Sequence, residues 1–386
     1  MSERAYFDWN ATAPLREEAR AAMAAALSLT GNASSVHAEG RAARQVVEVA
    51  REKVAKLAGA EAKNVTFTAG ATEANMLALT PAIATDRTKS LRDRLFLSAI
   101  EHPSVRSGGR FAAAQIEQLP VTGDGLLDLH ALRTALARAE RPLVSVMLAN
   151  NETGAVQPIR DIAGIVHAAG GVLHVDAVQA PGRIDCRIGE LGADLLSLSA
   201  HKLGGPQGVG ALIGRGDIRI AEPLIKGGGQ ERGQRAGTEN VAAIAGFGAA
   251  AAATNLADAA RMASLRERIE TGIKAIAPQA VIFSAAAPRL PNTTLFAVPG
   301  MKAETAIIAF DLNGIAVSSG SACSSGKVQA SHVLAAMGVE PALAQCALRV
   351  SLGRTTSEHD VENLLTALTK VVSSIRKGRI DAGLAA

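Results

Sequence analysis

Residues 197–210, SLSAHKLGGPQGVG, set His201 and Lys202 directly after an apolar run and directly before a glycine-rich turn. A lysine at the edge of a buried strand is partly desolvated, which lowers its pKa, and a deprotonated amine condenses with a carbonyl. Alone, Lys202 fits a solvated strand end better, so its neighbours decide. TAGATEAN, residues 68–75, runs from strand into helix through glycine and places Ala71 and Thr72 at a helix N-terminus. Free N–H groups and the helix dipole attract an anion there, although Thr72 also suits an ordinary N-cap. Ser199 and His201 offer a hydroxyl and an imidazole to the same anion.

Asp176 closes the run GVLHVD. A carboxylate at that point can hold a pyridinium nitrogen protonated, which pyridoxal phosphate needs to act as an electron sink; it also suits a helix cap. His102, between AIE and Pro103, is placed to stack on a ring or to move protons. The third group of interest is Cys323. SSGSACSSGK surrounds it with serine and glycine, a composition suited to a mobile exposed loop and unlike the setting of an inert, buried thiol. Cys186 and Cys346 lack that setting and read as packing residues.

These groups need elements to bring them together. Apolar runs at 64–75, 94–105, 143–154, 171–180, 194–202 and 208–214 each break off into polar residues, and alanine-rich helical stretches such as 128–140 and 160–169 lie between several of them. The alternation predicts an α/β fold with a mostly parallel sheet covered on both faces. Ligands bind beyond the carboxyl ends of such strands, where Thr72, His102, Asn151, Asp176, Gln179, Ser199, His201 and Lys202 would gather. A long helix over roughly 239–276 then leads to strand-like runs at 280–285, 293–298, 315–320 and 347–352, mixed with helices near 303–312 and 358–375. This reads as a smaller α+β domain. The expected division is a large cofactor-binding domain over 15–258 and a small domain of 1–14 and 259–386 that carries the cysteine loop.

Composition narrows the possibilities. The 386 residues are 48% hydrophobic, more than one core of about 250–300 residues accommodates. A formal charge of +4 and only ten aromatic residues give neither a phosphate-tracking surface nor a stacking platform, so no nucleic-acid partner is expected. No run of about 18 apolar residues occurs and the N-terminus lacks a signal-peptide layout, so no membrane partner and a cytoplasmic location are expected. Three scattered cysteines build neither a disulfide framework nor a zinc site.

SLSAHKLGGPQGVGAL, HVDAVQ, GATEAN, EHPSV, LANNETG, GGGQERGQRAGTEN and SSGSACSSG together resemble the NifS/IscS-type cysteine desulfurases, pyridoxal-phosphate enzymes of the class V aminotransferase group. The resemblance runs from DWNATAP near residue 10 to RVSLGR near residue 350. It implies the fold type I architecture of such enzymes, with pyridoxal 5'-phosphate as cofactor. It also implies that Lys202 carries the cofactor, His102 stacks on its ring, Asp176 meets the pyridine nitrogen and Gln179 the phenolic oxygen. Asn151 lies by cofactor and substrate; Ala71, Thr72, Ser199 and His201 hold the phosphate. Thr238, in AGTEN, resembles the residue that reaches the phosphate of the neighbouring subunit, which implies a homodimer with shared sites. Arg349 matches the arginine that grips the substrate carboxylate, a bidentate task suited to a guanidinium.

By the same resemblance, Lys202 takes the α-proton of L-cysteine, the Cys323 thiolate attacks its sulfur, alanine leaves, and a Cys323 persulfide passes to an iron–sulfur scaffold or other acceptor. No metal of the chain's own is expected; Cys323 would only transiently meet a cluster on the acceptor. Trp9, Ala13, Gly204, Gln207 and Lys226 depart from common family residues, which puts cofactor packing and substrate access in question. Selenocysteine lyase, a simple class V aminotransferase and a non-catalytic assembly partner are the competing readings. Cys323 argues against the second, and the intact set Lys202, Asp176, Arg349 and Cys323 against the third. Nitrogen-fixation and general iron–sulfur supply stay equally open.

Overall fold

A computed structural model describes residues 4–84, 91–216, 218–320 and 331–383, with side chains through residue 374. Seven strands form one sheet: Val65–Thr68 (β1), Arg94–Ser98 (β2), Ile116–Leu119 (β3), Pro142–Met147 (β4), Val172–Asp176 (β5), Leu195–Ser199 (β6) and Gly210–Gly214 (β7). Their spatial order is β1-β7-β6-β5-β4-β2-β3. β2 to β6 pair in parallel, and β7 runs antiparallel to both its neighbours, β6 and β1. The fold is therefore the expected α/β arrangement with a mostly parallel sheet.

The sequences of β4, β5 and β6, PLVSVM, VLHVD and LLSLS, are buried at every position, as strands covered on both faces require. Side chains alternate between two cores. Phe96 joins Val54, Phe67, Val146 and Val175 in one, whereas its neighbours Leu95 and Leu97 join Leu77, Leu143 and Leu212 in the other. Each such side chain, taken fully out of water, contributes about 1.5–3 kcal/mol.

The first core is covered by helices Ala38–Ala58 (α1) and Val241–Ala253 (α3), the second by Ala71–Ala78 (α2). Helix α1 ends at Gly59, whose φ of 63° is the left-handed conformation that favours glycine at this position. A Cβ on Gly248 of α3 would stand 2.5 Å from Ala50 Cα, so the small residues let α1 and α3 approach closely.

A second sheet of four antiparallel strands follows: Val281–Ile282 (β8), Thr293–Ala297 (β9), Ser318–Ser319 (β10) and Ala347–Ser351 (β11), in the order β8-β9-β11-β10. Helices Ala259–Ile276 (α4), Ala303–Leu312 (α5) and Glu358–Gly383 (α6) pack on it through Ile269, Ile273, Phe310, Val361, Leu364 and Leu368. At the N-terminus, Ala5–Tyr6 pairs in parallel with Ile315–Ala316, and Asp8 bridges to Ser351 of β11. No helix among the described residues is long and apolar enough to cross a membrane.

Two expectations change. The helix over 239–276 is two helices, α3 and α4. At the break, Thr254 Oγ1 donates to Ala250 O at 2.7 Å and Ala257 N donates to Asn255 Oδ1 at 2.9 Å, local side-chain bonds that compete with helix continuation. The run at 315–320 is likewise split: Ile315–Ala316 pairs with Ala5–Tyr6, and Ser318–Ser319 with β11.

Candidate active site

A cavity of about 430 Å³ opens at the carboxyl ends of the parallel strands, beside the start of β7. Ala71, Thr72, His102, Asn151 and Asp176 line it, as do Gln179, Ser199, His201, Lys202 and Arg349. The strand ends, together with β11 of the second sheet, thus bring together residues spread from position 71 to position 349.

Lys202 closes a 3₁₀ turn, Ala200–Lys202, that follows β6. Its Nζ donates to Asn10 O at 2.5 Å and Ala11 O at 2.7 Å. Next to it, His201 Nδ1 lies 3.1 Å from Thr12 Oγ1. Burial, and then the Lys202 charge, push the His201 pKa down to about 4, so its ring is neutral at pH 7.

Asp176 is the last residue of β5. Its Oδ2 accepts from Asn75 Nδ2 at 2.9 Å and its Oδ1 from Val178 N at 3.1 Å. Two residues back on the strand, His174 is fully buried between Ser145 Oγ (2.8 Å) and Ser197 Oγ (2.9 Å). Burial lowers its pKa to about 4, against the opposing pull of Asp176. A neutral imidazole leaves the Asp176 carboxylate uncompensated on that side.

Asn75 also donates to Ser104 Oγ at 3.0 Å, and Ser104 Oγ lies 2.8 Å from His102 Nδ1. The Ser104 amide donates to the same Nδ1 at 3.2 Å. An amide N–H only donates, so Nδ1 is unprotonated and the neutral His102 ring carries its proton on Nε2. Burial lowers the His102 pKa, partly offset by Asp176.

The turn from β1 into α2 has Gly70 at its N-cap, with no side-chain cap on the first N–H groups. Its shape is held by Ala69 N donating to Glu73 Oε2 at 2.9 Å, while Arg235 Nε donates to Glu73 Oε1 at 2.9 Å. Gly210 of β7 runs beneath the turn, and a Cβ there would stand 2.6 Å from Gly70 C and 2.9 Å from Ala71 N. Thr72 is exposed at the cavity mouth and is not the cap.

On the far wall, Arg349 of β11 is buried. Its Nη2 donates to Asp8 Oδ1 at 2.6 Å and its Nη1 to Asn151 O at 3.0 Å, while Nε has no partner among the described residues. Gln179 Nε2 donates to Asn10 O at 3.0 Å, and Arg183 Nη1 donates to Gln179 Oε1. Burial, and then Arg349, lower the Arg183 pKa to about 9.

Three predicted features stand apart. Thr238 does not line this cavity; it is exposed on the segment before α3. Cys323 lies outside the described residues. Cys186 and Cys346 are buried, and burial pushes the Cys186 thiol up to about 12, as expected of packing residues.

Residues 8–12 were missed as a wall of the site. Asn10 Nδ2 donates to Thr293 Oγ1 at 2.9 Å and to Asn151 O at 3.1 Å. Trp9, one of the unusual residues, packs where a Cβ on Gly353 would stand 1.9 Å from its ring, so a glycine is required there. No sequence period marks this segment, because the contacts that bring it to the site, Asn10 to Asn151 and Thr293, are remote in the chain. Asn75 and Ser104 were also missed, although Asn75 sits one helical turn beyond Thr72, a spacing that shares a face.

The Aminotransferase class-V family model matches residues 5–364. A cysteine desulfurase of Cereibacter sphaeroides is 42% identical over 380 residues, 97% of each chain. An IscS-like cysteine desulfurase of Mycobacterium tuberculosis is 39% identical over 388 residues, 98% of each. Among solved structures, a NifS-like protein from Rickettsia africae superposes with a TM-score of 0.86 at 36% identity, covering 96% of this chain and 100% of that one.

Proposed function

The chain belongs to the class V aminotransferase family, among its NifS/IscS-type cysteine desulfurases, and from that premise we propose that it removes the sulfur of L-cysteine, releasing L-alanine, with pyridoxal 5'-phosphate held in the cavity around Lys202. The observation that carries the reading is the convergence of one amine, Lys202, one strand-end carboxylate, Asp176, and one uncapped helix start at Ala71 on the same cavity.

The residues present fit the cofactor. Gly210 brings no Cβ against Gly70 and Ala71, and no side chain caps the helix start, leaving room for a phosphate against the Ala71 and Thr72 amides, with Ser199 and His201 beside them. Asp176 would meet the ring nitrogen, Gln179 the phenolic oxygen, His102 the ring face, and Lys202 would hold the group covalently. Bound pyridoxal phosphate supplies an electron sink for negative charge at the substrate Cα.

The chain's own groups do the rest. Arg349 holds the substrate carboxylate, with Asn151 at its side. Lys202 Nζ, once the substrate amine has taken its place, accepts the Cα proton. Cys323 Sγ, as thiolate, attacks the substrate sulfur; the Cβ–S bond breaks, Cβ takes up a proton, Lys202 returns its proton to Cα so that alanine leaves, and the transferred sulfur stays on Cys323 as a persulfide. An iron–sulfur scaffold or another sulfur acceptor then takes that sulfur. Thr238, outside its own cavity, serves the phosphate of a second subunit in a homodimer with shared sites. Residues 15–258 form the cofactor-binding domain, with 1–14 and 259–386 as the smaller one.

The test is to supply pyridoxal phosphate and L-cysteine under a reductant and follow alanine and sulfide. They should appear in equal amounts from the wild type. Lys202→Ala should show neither product nor the near-visible absorption of the bound cofactor. Wild-type protein that stayed colourless with added cofactor would overturn the reading.

A further inference from the structure

Arg183 is a buried guanidinium that the chemistry above does not use. Three oxygens accept from it. Nη1 donates to Gln179 O at 3.0 Å and to Gln179 Oε1, and Nη2 donates to Trp9 O at 3.3 Å. All three acceptors are uncharged, while burial and the Arg349 charge both oppose the protonated form. Taking a guanidinium out of water with no carboxylate as its acceptor is costly, so packing alone would not favour arginine at this position.

The bonds settle which way the Gln179 amide faces. Guanidinium nitrogens only donate and backbone carbonyls only accept. Oε1 must therefore be the atom toward Arg183, and Nε2 the atom toward Asn10 O, 3.0 Å away. Asn10 O also accepts from Lys202 Nζ at 2.5 Å. The Gln179 amide nitrogen and the Lys202 amine thus meet on one carbonyl oxygen, at the wall of the cavity that both line. In pyridoxal phosphate the phenolic oxygen sits on the ring carbon next to the one that bears the aldehyde. A donor beside the amine that takes the aldehyde is therefore beside that oxygen too. Turned over, the amide would face it with a carbonyl, lone pair against lone pair.

We propose that Arg183 is a positioning residue for the cofactor: by holding Gln179 Oε1 it keeps the amide nitrogen toward the Lys202 amine, so that the phenolic oxygen meets a donor. This rests on the cofactor part of the reading above. The consequence is electrostatic. A donor aimed at the phenolic oxygen opposes uptake of a proton there, so its loss raises the pH at which the bound cofactor changes its absorption.

The test is a double-mutant cycle on the holoenzyme, read as absorbance of bound pyridoxal phosphate against pH. The other titratable or charged groups lining the cavity, Asp176, His102, His201, Lys202 and Arg349 with its partner Asp8, are the same in every variant. So are Arg16, Asp258 and Arg354, which share with Arg183 a small cleft that Lys202 also lines. Arg183→Met should move the midpoint up by about one pH unit, and Gln179→Leu by about as much. In the double variant the midpoint should lie no higher than in the larger single, because Arg183 acts through Gln179. Arg183→Lys, which keeps a donor without the planar fork, should move it about half as far. If Arg183→Met does not fold, Arg183→Lys takes its place in the cycle, with the same lack of additivity expected on the smaller shift. An unchanged midpoint in the variants at position 183, or shifts that add in full in the double variant, would overturn the proposal. The measurement needs bound cofactor and no turnover. Coloured wild-type protein that forms no alanine would therefore sink the desulfurase activity while the midpoints still decide the role of Arg183, and colourless wild-type protein would sink both.

Discussion

Asn75 Nδ2 reaches Asp176 Oδ2 at 2.9 Å and Ser104 Oγ at 3.0 Å, so one buried amide spends its donor group on the strand-end carboxylate and on the serine that orients His102. A bond to a charged acceptor is worth about 1.5–3 kcal/mol, and losing it leaves a buried carboxylate short of a donor. Asn75→Ala should therefore weaken pyridoxal phosphate binding by about tenfold or more. The check is cofactor titration by absorbance. An unchanged affinity would show that Asp176 needs no such support.

His174 supplies a stability test with a definite sign. Its pKa is lowered to about 4 in the fold, whereas an unfolded histidine titrates near 6.5. Below that value the unfolded chain binds a proton that the native one refuses, so the contribution is present above about 6.5 and lost as pH falls toward 4. The buried Glu152, raised to about 7, works in the opposite direction, losing its contribution as pH rises from about 4.5. A difference between variants isolates the histidine. The unfolding free-energy gap between wild type and His174→Gln should shrink on going from pH 7 to pH 4, by on the order of 3 kcal/mol. Urea unfolding at a series of pH values measures it; a gap independent of pH would contradict the assignment.

Thr238 lies outside the cavity of its own chain, while the nearby Arg235 is tied to Glu73 at the helix start. If Thr238 serves a second subunit, Thr238→Ala should release cofactor faster on dialysis. Mixed with Lys202→Ala subunits, it should show whether the contact is made across the pair: one site type in the hybrid would combine the wild-type lysine with the wild-type threonine and hold cofactor normally. Unaltered retention in Thr238→Ala would exclude the contact.

Much of the cavity is legible in the sequence because each parallel strand announces its own end. The runs VLHVD and LLSLS stop at Asp176 and Ser199, and the rule that ligands bind beyond carboxyl ends then assembles those residues without any knowledge of strand order. The antiparallel course of β7 carries no such signal, since an apolar run such as GVGALIG does not encode the direction of its pairing. The wall formed by residues 8–12 is hidden for another reason. Asn10 N donates to Ser351 Oγ across 341 positions, and contacts that remote leave no local period. The interruption between α3 and α4 depends on two short polar side chains in an alanine-rich stretch, where intrinsic propensity favours continuation.

Cys323 as the sulfur acceptor is the claim on which the proposed chemistry turns. The direct measurement is a single turnover of holoenzyme with L-cysteine, quenched with an alkylating agent and examined by peptide mass spectrometry together with alanine analysis. The expected result is one added sulfur atom on the Cys323 peptide and a matching amount of alanine, with both absent from Cys323→Ala despite normal cofactor absorption. Alanine formed at the wild-type rate by Cys323→Ala, or sulfur found on Cys186 or Cys346 instead, would contradict it.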